Sequence, residues 1–404
     1  MTRKSAVERL AVYRGDEFAG QIERTARGAR FAYDTRYREA HEADPGPLAG
    51  AIALHLPLRA EPHEIAGTNL HPFFANLLPE GARYAALLGA VKTSPEDLLS
   101  LLAAAGEDCV GDIAVVCSED PPRPTRPTLD LARVAEASFN ELLRQSLNYA
   151  GQGEQHTTPG VQEKISAAMI SVPIDALAGE AYLLKLEPQN YPRIVQNEAF
   201  FMGLARDAGI DTAEVSVLED RDGTVGLLVR RFDRTTEKLH VEDGCQLLDR
   251  YPADKYAVSL AEVASAIAAH SSTAILDVAN LIRLAAFSQA IANGDLHAKN
   301  VSLLLNEDRA SLRLSPAYDL LTTLPYGDTS MALPLDGRDK KLRRSHFVTF
   351  AERFGVRAAA TRAILDEVCH AVQAGARRVG VIGFADRKTT QLERTLEQRC
   401  RELS

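Results

Sequence analysis

Four prolines in seven residues, Pro121, Pro122, Pro124 and Pro127, sit inside "CSEDPPRPTRPTLD" at 117–130. Proline fixes φ and removes a backbone donor, so neither a helix nor a central strand can run through this stretch. It predicts an extended linker between separately packed units. A chain of 404 residues is too long for one ordinary core, which asks for two or three such units. Before the linker, residues 8–34 read as short strands broken by Gly and Asp turns, and "AIALHLPL" at 51–58 reads as one more strand. The period then becomes helical. "TSPEDLLSLLAAAG" at 93–106 places Ser94 as N-cap, Pro95 as first helical residue, Glu96 and Asp97 in the first turn and Gly106 as stop. Beyond the linker a helix is expected near 129–148, followed by a polar, glycine-rich loop that feeds a strand. "EAYLLKLEP" at 180–188 is a strand with Lys185 in its apolar middle, and 197–210 carries a helical stripe of Phe201, Leu204, Ala205 and Ala208. Residues 214–233 form a strand pair about "RDG", and 257–293 is helical. The expected units are 1–120, 129–233 and 245–404, in a mixed α+β architecture.

The formal net charge of -9 argues against a surface that grips nucleic acid throughout, and it does not exclude a local basic patch. The densest basic run, "DGRDKKLRRSHF" at 336–347, holds Arg338, Lys340, Lys341, Arg343 and Arg344. It reads either as a solvated face or as a contact to DNA backbone. Cys109, Cys117, Cys245, Cys369 and Cys400 are scattered without disulfide or zinc spacing. No apolar stretch has the length of a signal-peptide core or a membrane span, so a soluble cytoplasmic protein is expected.

The chemistry is carried by "ANGDLHAKNVSLLL" at 292–305, where Asp295 and Asn300 keep the spacing of D-L-x-x-x-N, the loop that moves a phosphoryl group in kinases. Phosphoryl transfer needs a lysine on the nucleotide phosphates, Asp and Asn side chains for the metal, and a carboxylate facing the acceptor hydroxyl. Lys185 on its strand, Glu198 on the next helix, Asp295, Asn300 and Asp319 in "SPAYDLLTT" supply these types in the expected order. Each has an ordinary structural explanation alone: a turn former at Asp295, a snorkelling edge lysine at 185, a first-turn helix acid at 198, caps at Asn300 and Asp319. The ordered set is much harder to explain that way. Three departures stand out. No G-x-G-x-x-G precedes Lys185, which leaves "TTPGVQEKIS" at 157–166 as the phosphate cover. Gly294 stands where an ordinary kinase has arginine, and Asp319 is followed by Leu320 and Leu321.

These residues, together with "FAYDTRY", "FFANLLPEGARY", "AGEDCVGDIAV", "GVQEKISA", "NEAFFMGLARDAGI", "VRRFDR" and "CQLLDRYPADKY" in that order, resemble the HipA family of toxin kinases. The resemblance implies a two-lobe, protein-kinase-like α+β fold with an added N-terminal β-rich subdomain and a helical C-terminal lobe. It implies serine/threonine phosphotransfer with ATP and Mg²⁺, a helix-turn-helix antitoxin that binds operator DNA, and a substrate such as an aminoacyl-tRNA synthetase. By position, Asp295 is the catalytic base, and Asn300 and Asp319 hold magnesium and complete the catalytic set. ATP would be met by Pro159, Gly160, Val161, Gln162, Glu163, Lys164, Lys185, Arg230, Phe232, His297, Lys299, Asn300 and Asp319. The autophosphorylated serine of the family falls on Thr157, with Thr158 beside it; threonine accepts phosphate, but its β-branch stiffens χ1. Two other readings compete: a small-molecule kinase of the aminoglycoside or choline type, which shares G-D-L-H-x-x-N, and a catalytically silent antitoxin-binding corepressor.

Overall fold

The computed structural model describes residues 7–66, 70–117, 120–122, 126–149 and 169–404. At the N-terminus, β1 (Arg9–Arg14), β2 (Glu17–Thr25) and β3 (Gly28–Tyr33) form antiparallel hairpins. They continue into α1 (Thr35–His41), β4 (His63–Ala66), α2 (Pro72–Ala75), α3 (Gly81–Val91), α4 (Leu98–Ala105) and β5 (Ile113–Val116). The sheet runs β4-β3-β2-β1-β5 and packs Leu10, Val12, Ile22 and Phe31 against Phe74 and Leu102. Two expectations need correction. Residues 51–58 form turns, because the Tyr33 hydroxyl takes their backbone groups: it accepts from the Ile52 N–H at 2.9 Å and donates to the Leu56 carbonyl. The helix expected from Pro95 starts at Leu98, capped by Asp97 and not by Ser94; Asp97 accepts from the Ser100 N–H and is held by Arg24 and Thr93.

The second sheet is built from β6 (Thr128–Leu129), β7 (Ile170–Ala176), β8 (Ala181–Leu186), β9 (Val215–Glu219) and β10 (Val225–Arg230), in the order β6-β7-β8-β10-β9. Helix α5 (Phe139–Tyr149) covers one face and α6 (Ile194–Asp207) the other. Helix α5 starts ten residues later than the sequence suggests. Its first amide, that of Phe139, is capped at 2.7 Å by Asp220 from the β9–β10 turn, which fixes where the helix can begin. The strand period of two does the rest. Leu184, Leu186 and Leu228 point toward Phe139 and Leu142, while Leu227, the register partner of Lys185, lies in the core with Phe201 and Met202 of α6. Lys185 is thereby placed on the α6 side.

The remaining chain forms β11 (Val241–Asp243), α7 (Gly244–Leu247), α8 (Leu260–His270), α9 (Ala274–Ala290), β12 (Ser302–Leu305), β13 (Leu312–Leu314), α10 (Arg344–Arg353), α11 (Ala358–Ala376) and α12 (Asp386–Leu403). Helix α9 is the centre of this lobe. Leu281, Ile282, Ala285, Phe287 and Ala290 are fully buried, and α8, α10, α11 and α12 surround it. Among the described residues no helix is long and apolar enough to cross a membrane.

Where the N-terminal sheet meets this lobe, the buried His240 imidazole lies between Asp112 at 2.9 Å and Glu242 at 3.0 Å; Arg14 also holds Asp112, and Glu242 accepts from the Leu54 N–H. Burial alone would lower the histidine pKa, but the two carboxylates outweigh it and raise it from 6.5 to about 9. A raised folded-state value means stability that is fully present below about pH 6.5 and lost as pH climbs through about 9. Thermal melts between those values should show wild type losing stability with rising pH, and His240→Gln showing a flatter profile over the same window.

Candidate active site

The loop that follows α9 is set by backbone geometry. Ala292 adopts φ +57° and turns the chain out of the helix. The Thr323 amide and hydroxyl donate to the Ala292 carbonyl at 3.1 and 3.0 Å, and Gly294 donates its N–H to the Thr323 hydroxyl at 2.8 Å. A Cβ at position 294 would come within 2.8 Å of both the Ser330 carbonyl oxygen and the Asp328 carboxyl carbon. Glycine here is a packing requirement, which adds a steric reason to the missing arginine of ordinary kinases. Gly294→Ala should destabilise the protein by roughly 1–3 kcal/mol, measured by denaturant unfolding.

Asp295 is 1% exposed. Its carboxylate accepts from the Tyr256 hydroxyl at 2.8 Å, and its N–H donates to the Asn293 side-chain oxygen at 2.9 Å. A single 3₁₀ turn at Ala298–Asn300 then brings the Asn300 amide nitrogen back to the Asp295 carbonyl at 3.3 Å. The spacing of the two residues is the spacing that closes this ring. With its nitrogen so engaged, the Asn300 carboxamide offers its oxygen to a cation.

Asp319, just past β13, sits at φ +57°, a left-handed conformation that aspartate tolerates better than most L-residues. Its carboxylate meets the Lys185 ammonium, which also contacts Glu198 on α6 at 2.6 Å. Burial works against the lysine charge, yet Asp319 and Glu198 outweigh it and hold its pKa above the ordinary value. Glu198 moves upward too, chiefly because it is buried, with Lys185 opposing. Next to it, Asn197 exchanges two hydrogen bonds with the backbone of Thr322, at 2.9 and 3.1 Å, so α6 grips the segment after Asp319.

Strand β10 ends at Arg230, an exposed residue paired with Glu214; Arg231 then turns inward to Asp233 and the Cys109 carbonyl. Phe232 packs on Tyr318, 5.8 Å between centroids, immediately before Asp319. The Tyr318 hydroxyl donates to the Lys299 carbonyl at 2.7 Å. His297 is buried with its ring edge-on to Tyr256 at 5.0 Å. Lys299, expected at the nucleotide, has its ammonium on Asp243 and on Asn76, so it fastens the loop to neighbouring structure. Pro159 to Lys164 and the threonines at 157 and 158 lie outside the described residues.

Lys185, Glu198 and Asp319 are thus brought into direct contact, and Asp295 and Asn300 into one closed turn. Tyr256, Asn293 and Asn197 complete the site and were missed. Tyr256 lies within "CQLLDRYPADKY" and Asn197 directly precedes Glu198, but nothing local says what either touches. Asp319 and Asn300 offer hard carboxylate and carboxamide oxygens, the donor type that suits Mg²⁺ when substrate phosphates supply further ligands. Among the described residues no group of three or more His, Cys, Asp and Glu side chains could hold a metal by itself. Of the basic run, Arg338, Lys340, Lys341 and Arg343 are exposed, while Arg344 pairs with Asp366.

Residues 157–376 match the family described as HipA-like C-terminal domain, and residues 10–116 match HipA N-terminal domain. The protein named "Putative kinase Y4dM" of Sinorhizobium fredii is 36% identical over 296 residues, covering 67% of each chain. "Serine/threonine-protein kinase toxin HipA" of Shewanella oneidensis is 24% identical over 358 residues, 81% of this chain and 78% of the relative. The HipA chain in the solved Shewanella oneidensis complex of HipA, HipB and operator DNA superposes with a TM-score of 0.75 at 19% identity, over 98% of this chain and 97% of that one. Its likeness bears on the fold.

Proposed function

The chain belongs to the HipA family, and from that premise we propose that it is a serine/threonine protein kinase using ATP and Mg²⁺, the toxin of a toxin–antitoxin pair. The observation that carries the reading is the contact of Lys185 with both Glu198 and Asp319, beside a loop in which Asn300 is tied to Asp295. As the acceptor hydroxyl oxygen bonds to the γ-phosphorus and the bond to the ADP oxygen breaks, the Asp295 carboxylate takes the hydroxyl proton. Lys185 lends positive charge to the nucleotide phosphates, and Glu198 fixes its position. Bound at Asp319 and Asn300, Mg²⁺ would offset negative charge on the phosphates. Phe232 and the backbone from Arg230 would face adenine, and His297 in the catalytic loop would be a further ATP contact.

A helix-turn-helix antitoxin would neutralise the enzyme in the cytoplasm and carry it to operator DNA, and a translation component such as an aminoacyl-tRNA synthetase would be the substrate. Units at 1–120, 129–233 and 245–404 would divide these tasks. Against a small-molecule kinase stands the N-terminal HipA unit; against a silent corepressor stands the full set of five chemical residues. Purified protein without antitoxin should form ADP from ATP in a magnesium-dependent way and label protein hydroxyls. No turnover by the wild type under those conditions sinks the kinase reading. After incubation with ATP, intact-mass analysis should show about one added phosphate, mapping to Thr157 or Thr158; phosphate elsewhere, or none, counts against that switch.

A further inference from the structure

The connection between α2 and α3 in the N-terminal unit reaches the back of the catalytic loop at two points. Asn76 is 7% exposed, and its carboxamide nitrogen donates to the Pro72 and Arg250 carbonyls, both at 2.8 Å. Its side-chain and main-chain oxygens accept from the Lys299 ammonium at 3.0 and 3.2 Å. Four residues on, Glu80 pairs with Lys255 at 2.8 Å. The two lysines adjoin the residues that do the chemistry: Lys299 precedes Asn300, and Lys255 precedes Tyr256, whose hydroxyl holds the Asp295 carboxylate. Lys255 also accepts the Ala298 N–H on its carbonyl at 3.2 Å, so it grips the loop itself. The side chains of Lys255 and Lys299 are 13% and 11% exposed, which shields these contacts from solvent more than ordinary rim ion pairs. Glu80 acts at a distance as well, adding to the field that keeps the Lys299 charge in place after Asp243.

We infer that Asn76 and Glu80 are positioning residues for phosphoryl transfer: the N-terminal unit sets the angle of the base and of the metal-holding asparagine through Lys255 and Lys299. This rests on the kinase reading above. Phosphoryl transfer is sensitive to placement, and a displacement on the order of 1 Å costs up to about a hundredfold in rate. A plain interface contact would leave the rate alone.

The test compares wild type, Glu80→Gln, Asn76→Ser and the charge-swapped pair Glu80→Lys with Lys255→Glu in the full chain. Thermal melts confirm folding in each. We expect kcat to fall about tenfold in both single variants with KM for ATP within about twofold, and the swapped pair to recover most of the rate. Wild-type kcat in folded Glu80→Gln and Asn76→Ser, with Asp295→Asn inactive, overturns the inference and leaves the kinase reading intact. An equal rise in KM with kcat unchanged also overturns it. A wild type that turns over no ATP fails at the earlier step and removes both.

Discussion

Asp295→Asn is expected to lower phosphoryl transfer by about a thousandfold, within the range for a general base, while leaving fold and ATP affinity near wild type. The replacement is isosteric and still offers an oxygen to the Tyr256 hydroxyl, so the hydrogen bond at 2.8 Å that orients the side chain has a counterpart. The Asn293 bond to the 295 amide and the Asn300 bond to its carbonyl involve backbone atoms and are untouched. What disappears is the capacity to take a proton. The split between a lost kcat and a retained nucleotide affinity is the signature to measure, by steady-state kinetics beside equilibrium ATP binding. A variant within tenfold of wild type would remove Asp295 from the role of base.

Lys185→Met is expected to act on stability as well as on nucleotide affinity. It leaves Glu198 buried without its cation, and Asp319 without the same partner. Breaking a buried pair from one side costs about 3–5 kcal/mol, because the surviving charge is left uncompensated. The pH dependence carries a definite sign. Burial already pushes the Glu198 carboxyl up, to about 7 from 4.5, and loss of Lys185 removes a group that opposes this rise. An upward-shifted acid favours the folded state where it is protonated, so the deficit should be smaller near pH 5 than near pH 8. Adding Glu198→Gln should recover part of the loss at pH 8. Denaturant unfolding of the single and double variants at both values checks this; an equal deficit at both would mean that the lysine contributes packing alone.

The parts of the site that were legible in the chain are those fixed by short periods. Alternation along "EAYLLKLEP" put Lys185 opposite the leucines that face α5, and the apolar stripe of "NEAFFMGLARDAGI" announced the helix that carries Glu198. The Asp295–Asn300 spacing was legible because a closed turn is itself local. Contacts made across the fold were not legible. Tyr256 meets Asp295 from a segment 39 residues away, and the Tyr33 hydroxyl takes backbone groups that the pattern at 51–58 assigns to a strand. Asp97 displaced Ser94 as a cap because Arg24 from β2 holds it in place. Gly294 was read as a missing arginine, whereas the approach of Ser330 and Asp328 gives it a spatial meaning that spacing alone does not carry.

The hydrogen bond from Asn300 to the Asp295 carbonyl makes the loop a ring of fixed circumference. The contacts of Lys299 and the burial of Leu296, His297 and Ala298 restrict which residues fit inside it, and the ring adds a separate restriction on how many there are. One residue inserted or removed between 296 and 299 would open the ring and swing Asn300 off its mark. Mutational tolerance here is therefore limited by length as well as by chemistry.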